Sequence, residues 1–225
     1  MISLPRLAAA VAMLFLGLWA DLHVELPGQV AIGLAVWALL LALLAPLPAQ
    51  ERHLYLACVA IATAGELFLS LAWGLYTYRL DNVPMFVPPG HALMLMLGVA
   101  LARRLPESLA KGIIGAAGAY TLAAFLTSLD TLALPLFLML MVAVLSLPGH
   151  IRLFASTFLL CLSLELYGTA LGNWSWPREV AYVGLVTTNP PGIAGAFYAA
   201  LDALSLAFVA FTITRGRRRE ALAAG

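Results

Sequence analysis

Charge is scarce in this chain of 225 residues: Asp, Glu, Lys and Arg together make up 10% of it. Soluble domains carry about 25%, so a water-soluble globule is excluded. The formal net charge is +1, which offers no footprint for nucleic acid and no complement to an acidic partner. There is one lysine, Lys111, near a predicted helix end, and this excludes a mid-membrane Schiff base. Two cysteines, Cys58 and Cys161, are too few for a disulfide framework. Both fall within apolar runs, where they read as small buried side chains. No phosphate-binding loop, dinucleotide glycine motif, Gly-x-Ser-x-Gly elbow, zinc spacing or histidine-rich box occurs. No cofactor and no metal is expected.

Apolar residues are abundant instead, 63% of the chain, with a mean hydropathy of +0.98. Crossing a bilayer takes ~20 mainly apolar residues. Eight such stretches fall between polar punctuation, at about 7–23, 29–47, 54–77, 88–102, 108–129, 131–147, 151–172 and 191–214. The fourth and sixth are short, and Pro135 falls inside the sixth, so a count of seven stays open beside eight. The predicted fold is all-α, a single polytopic bundle of seven or eight membrane helices over 1–225. With eight spans, ten basic residues fall on the side of the termini (Arg6, Arg52, Arg103, Arg104, Lys111, Arg152, Arg215, Arg217, Arg218 and Arg219), and only Arg79 and Arg178 on the other. That bias predicts cytoplasmic termini and a bacterial inner (plasma) membrane location. The basic tail at 215–225 anchors the last span. Leu18-Trp19-Ala20 is a poor cleavage site, so the first stretch is expected to remain as a span. Gly112, Gly115 and Gly118 recur at threes, the pattern of a close helix approach.

The chain also repeats itself. Glu66 aligns with Glu165, Gly74 with Gly172, Tyr76-x-Tyr78 with Trp174-x-Trp176, and Pro88-Pro89-Gly90 with Pro190-Pro191-Gly192, at offsets of 98 to 102 residues. Four spans separate the copies, so the halves 1–105 and 106–215 point the same way, a parallel 4+4 repeat about the membrane normal. In each copy a carboxylate falls about midway down a span, two aromatics mark the far interface, and Pro-Pro-Gly opens the returning helix.

Three acids, Glu66, Glu165 and Asp202, fall well inside the spans. Each charge there costs at least ~2.5–3.5 kcal/mol by insertion scales. Ser70 and Thr169 follow the two glutamates by four residues, while Tyr198 and Ser205 flank Asp202, so helical spacing predicts local hydrogen-bond partners. One reading makes the acids helix ties. The other makes them catalytic with His91, which opens the fourth span; His23, His53 and His150 read as solvated loop residues. Trp73, Tyr76, Tyr78, Trp174 and Trp176 are belt residues or cavity walls whose π faces favour a cation. Asn189 and Tyr198 complete the expected substrate-binding set. A buried acid in a dry apolar pocket can protonate an alkene.

The stretch Gly74-Leu75-Tyr76-Thr77-Tyr78, then Val87-Pro88 and His91-Ala92-Leu93-Met94, resembles the carotenoid biosynthesis membrane proteins that include carotenoid hydratases. Trp174-x-Trp176 and Asn189 before a small-residue helix are similar to their second conserved region; the Pro-Pro-Gly doublet and His91 depart from it. In layout, Glu66 and Asp202 are also placed as in small seven-span terpene cyclases. Both resemblances imply proton-initiated hydration or cyclisation of an isoprenoid lipid, with Glu66 and Asp202 as acid and cation stabiliser, Glu165 assisting and His91 near the mouth. A proton-coupled transporter and a non-catalytic assembly protein are the alternatives from other classes. Neither route fixes an oligomeric state.

Overall fold

The computed structural model describes residues 3–223, the segment 216–223 by its backbone alone. The basic cluster beyond Arg215 therefore lies outside the described side chains. Eight helices run back and forth: α1 (Leu4–Asp21), α2 (Leu26–Leu44), α3 (Ala49–Glu66), α4 (Val87–Ala102), α5 (Glu107–Leu126), α6 (Ala133–Ser146), α7 (Ile151–Leu171) and α8 (Gly195–Ala223). Six are long and apolar enough to cross a membrane, while α4 and α6 are shorter. The chain is an all-α membrane helix bundle, with eight α-helices among the described residues.

Proline and glycine set the boundaries. Pro5 and Pro27 stand in the first turns of α1 and α2, where a missing N–H costs nothing. Pro135 proves equally harmless, because α6 begins at Ala133 and the proline falls in its first turn instead of its middle. Gly172 ends α7 in the left-handed region (φ 87°), and Gly74 makes the matching turn in the first half (φ 74°). Pro88 and Pro89 do open α4. The second Pro-Pro-Gly does not open α8, which starts at Gly195 after a separate turn. His53 lies in the first turns of α3 and not in a loop; it is exposed, as are His23 and His150.

Four helices form the centre. α3 packs on α4 as α7 packs on α8, and α4 meets α7 as α3 meets α8. The α1–α2 and α5–α6 hairpins flank them, and ten residues of α4 are buried. Where α8 crosses α7, a Cβ on Gly195 would stand 2.3 Å from the Phe158 carbonyl oxygen, so only glycine fits. The glycine row of α5 behaves differently from its prediction. Gly118 alone meets a neighbour, Phe137 of α6, while Gly112 and Gly115 border open space because that stretch of α5 faces outward.

Past Glu66 the third span continues as a wide π-helical segment, Leu67–Ala72. The loops on the side opposite the termini, the far side, then bring the two halves together. Strand β1 (Thr77–Tyr78) pairs antiparallel with β2 (Trp174–Ser175), Thr77 opposite Ser175 and Tyr78 opposite Trp174. The Thr77 and Ser175 hydroxyls are 3.4 Å apart, so the pseudo-twofold axis of the repeat passes beside them. A short hairpin, β3 (Glu179–Val180) with β4 (Leu185–Val186), lies on the same side.

The arginines that charge counting left on the far side also match. Arg79 donates to the carbonyl oxygens of Asp21 and Val24 and to the Asp21 carboxylate (3.4 Å). Arg178 donates to the carbonyls of Ser128 and Leu129. In each half, then, the arginine after the aromatic pair pins the hairpin of the two flanking helices.

The double variant Thr77→Cys/Ser175→Cys is expected to form a disulfide across the axis without reductant, visible as a shift on non-reducing gels. The buried Cys58 and Cys161 are not expected to compete. Failure to cross-link would remove the strand pairing.

Candidate functional site

Two carboxylates face one cavity, and each is held by the aromatic pair of its own half. Glu66 Oε2 accepts the phenol protons of Tyr76 and Tyr78, both at 2.8 Å. Its Oε1 and the His91 Nε2 are hydrogen-bonded at 2.9 Å. Glu165 Oε2 accepts the indole protons of Trp174 (2.8 Å) and Trp176 (3.2 Å), and its Oε1 faces the Tyr198 hydroxyl at 3.4 Å. Glu66 thus accepts two phenol protons and pairs with the His91 ring. Both glutamates are 7% exposed.

These partners are not the ones helical spacing predicts. Thr169 donates to the Glu165 backbone carbonyl (2.7 Å) and Ser205 to that of Leu201 (2.8 Å). Such hydroxyls close on the carbonyl one turn back and leave the carboxyl alone. Ser70 makes no bond to Glu66 among the described residues, because the wide turn after Glu66 removes the regular i,i+4 spacing. Tyr198 serves Glu165 of the neighbouring helix instead of Asp202. The depth differs too. Glu66 and Glu165 lie about 9 Å short of the far ends of their spans, at ~1.5 Å of rise per residue, and not midway. That puts them within reach of loop residues that fold back.

Local geometry makes the fold-back fit. A Cβ on Gly168 would stand 2.0 Å from the Trp174 ring, so the bare glycine lets the indole lie on α7 and reach Glu165 one turn away. The rings then link up: Tyr76 against Trp176 (centroids 4.6 Å), Tyr78 against Trp174 (6.0 Å), His91 against Tyr198 (4.6 Å). The two carboxylates thus belong to one aromatic ring of contacts.

The cavity beneath is apolar, with a volume of about 330 Å³, at the small end of ligand pockets. Of the residues expected from the sequence, Glu66, Glu165, His91, Tyr76, Tyr78, Trp174, Trp176 and Tyr198 all line it. Three others do not. Asp202 is 2% exposed and sits apart, beside Thr157 and the two cysteines, with Oδ2 lacking a partner among the described residues. It lies at a depth like that of the glutamates but on a face of α8 turned from the cavity. Asn189 is exposed and accepts the Trp176 backbone N–H (2.9 Å), holding the loop. Trp73 donates to the Ala181 carbonyl (2.9 Å), tying α3 to the β3–β4 hairpin.

The sequence reading passed over two further acids. Asp21 accepts from Gln29 (2.8 Å), Asn173 (3.0 Å) and Arg79. Asp130 accepts the Ala133 and Gly192 backbone N–H groups, both at 3.1 Å. They are 1% and 0% exposed and both lie on the far side, Asp21 ending α1 and Asp130 in the α5–α6 loop. That shared side was the available signal. No group of metal-ligating side chains forms among the described residues.

No family model matches this chain, and neither the curated proteins nor the solved structures contain a match.

Gly168→Ala is expected to displace Trp174, since the ring cannot yield as a flexible side chain would. A buried acceptor stripped of a donor costs ~1–3 kcal/mol, so the thermal midpoint in detergent should fall by several degrees. Gly112→Ala, on the open face of α5, is the control and should hold or raise it.

Proposed function

We propose that this chain is a membrane-embedded enzyme that protonates a double bond of an isoprenoid-type lipid, hydrating or cyclising it. The observation that carries the reading is the His91–Glu66 pair, 2.9 Å apart, on the wall of an apolar cavity whose other charged group is Glu165. The two resemblances noted above point to the same chemistry. The basic residues on the side of the termini support an orientation with both termini cytoplasmic, which leaves the site nearer the outer face of a bacterial inner membrane.

In this reading His91 transfers the proton and Glu66 is its counterion, the role a buried carboxylate plays behind a catalytic histidine. The proton adds to one alkene carbon, the π pair becomes the new C–H bond, and the other carbon becomes a tertiary cation. Glu165 and the faces of Tyr76, Trp176 and Phe197 are arranged for positive charge, by Coulomb attraction and by their ring quadrupoles. In hydration, water adds to the cation and its spare proton returns to the histidine. In cyclisation, a second double bond adds and a neighbouring carbon gives up the returned proton. Both cycles balance with water as the sole co-reactant, or with none.

A second reading, a proton-coupled carrier, draws on one observation: a carboxylate from each half faces a cavity between two parallel repeats, as in repeat-built transporters.

Proteoliposomes given an acyclic polyisoprenoid alkene should yield a hydrated or cyclised product. General acid–base groups contribute about 10²–10⁴-fold, and Glu66→Gln and His91→Phe should each lose turnover on that scale. Asp202→Asn should keep it. Full turnover in Glu66→Gln, or proton-dependent uptake without any product, would overturn the enzyme reading.

A further inference from the structure

The pseudo-twofold repeat is not perfect around the cavity. By symmetry, the gap between α3 and α8 corresponds to the gap between α7 and α4. α1 packs on both α4 and α7, with Phe15 against Tyr167 at 5.0 Å, and covers that second gap. Its counterpart α5 packs on α6 and α7 of its own half. The outer face of α3 keeps Leu67, Phe68 and Leu71 exposed.

The gap between α3 and α8 is bordered by facing rows, Gly65 and Phe68 on one helix and Ala200 and Leu204 on the other, all of which line the cavity. Phe68 and Leu204 are each also 58% exposed on the outer surface, so the same side chains touch the cavity and the surroundings. A Cβ on Gly65 would meet nothing within 4 Å. This stretch belongs to two apolar spans, where the only neighbour is lipid hydrocarbon.

Height fixes the leaflet. Phe68 lies about 6 Å and Leu204 about 14 Å below the far ends of their helices, at ~1.5 Å per residue. Above them the β3–β4 hairpin forms a roof. Its one side is tied to the α5–α6 loop through Val186 and Thr131 (2.9 Å). Its tip is tied to Trp73, whose ring stands 6.0 Å from Phe68.

We propose that the cavity opens sideways between α3 and α8 into the leaflet on the far side, and that its occupant is the hydrocarbon chain of a membrane lipid. The proposal builds on the reading of the cavity as a lipid site, but not on proton transfer. A cavity of about 330 Å³ takes the end of a long chain while the remainder stays in the bilayer. Such an arrangement selects for a reactive group near a chain terminus.

The test uses the full chain in nanodiscs containing phosphatidylcholine with a diazirine at the end of one acyl chain. After photolysis, cross-linked peptides are mapped by mass spectrometry. α4 is buried almost throughout, and its Met94 lines the cavity, so label on α4 reports chains inside. Label on exposed Leu122 and Leu138 reports the annular lipid. The native chain should carry label on α4. Gly65→Leu, which fills open space at the mouth, should reduce it at least fivefold with Leu122 and Leu138 labelled as before. Gly65→Ala should leave α4 labelling unchanged and serves as the folding control. Absence of label on α4 in the native chain, or equal α4 label in Gly65→Leu, would overturn the portal. Loss of turnover in Glu66→Gln with undiminished α4 label separates the chemistry from the route.

Discussion

A carboxyl group in hydrocarbon has no water to lean on, and two of them, Glu66 and Glu165, lie inside this bundle. Each must be given donors by the protein itself, since an orphaned buried charge costs several kcal/mol. That requirement organises the far side of the molecule. The aromatic pairs fold back from the loops to supply N–H and O–H groups. The strand pairing at Thr77 and Ser175 holds both pairs at one level, and Gly168 clears the space for one indole. Remove the carboxylates and little would hold so much polar aromatic surface below the helix ends.

The two halves hold two such sites, and they are not alike. In the first, the residue after Pro-Pro-Gly is His91, a group that can carry a proton. In the second, the same place holds Ile193. Glu165 draws its third contact from Tyr198, whose counterpart at the offset of the proline motif is the buried Met96. One carboxylate therefore sits behind a titratable ring and the other behind rings that only donate. The two halves thus present different groups to the one cavity.

Much of this was legible in the residues. Hydropathy located the eight helices to within about five positions, except that α8 runs on to Ala223 past the expected end at 214, and the repeat located Glu66, Glu165 and the aromatic pairs. What pairwise helical spacing could not show was which groups satisfy the acids. Serine and threonine inside helices bond to their own backbone, and tyrosine and tryptophan at a span's end read as interfacial belt residues until the loop's return path is known. Asp202 was drawn into the site by its depth and by the layout resemblance; which way it points depends on the rotation of α8, which a chain apolar on nearly every face does not encode. Asp21 and Asp130 escaped notice because one ends a helix and the other lies in a loop, where an acid looks solvated.

The π segment after Glu66 has a further meaning. Ten positions separate Glu66 from Tyr76, but nine separate Glu165 from Trp174. With regular helices in both halves, that extra residue would turn the first aromatic pair by roughly 100° about the helix axis, since an α-helix has 3.6 residues per turn, and out of line with its twin. The wide turn over Leu67–Ala72 takes up the surplus, as π-bulges do. It therefore acts as a phase corrector between the halves: the surplus residue is taken up in the backbone before it reaches Tyr76 and Tyr78.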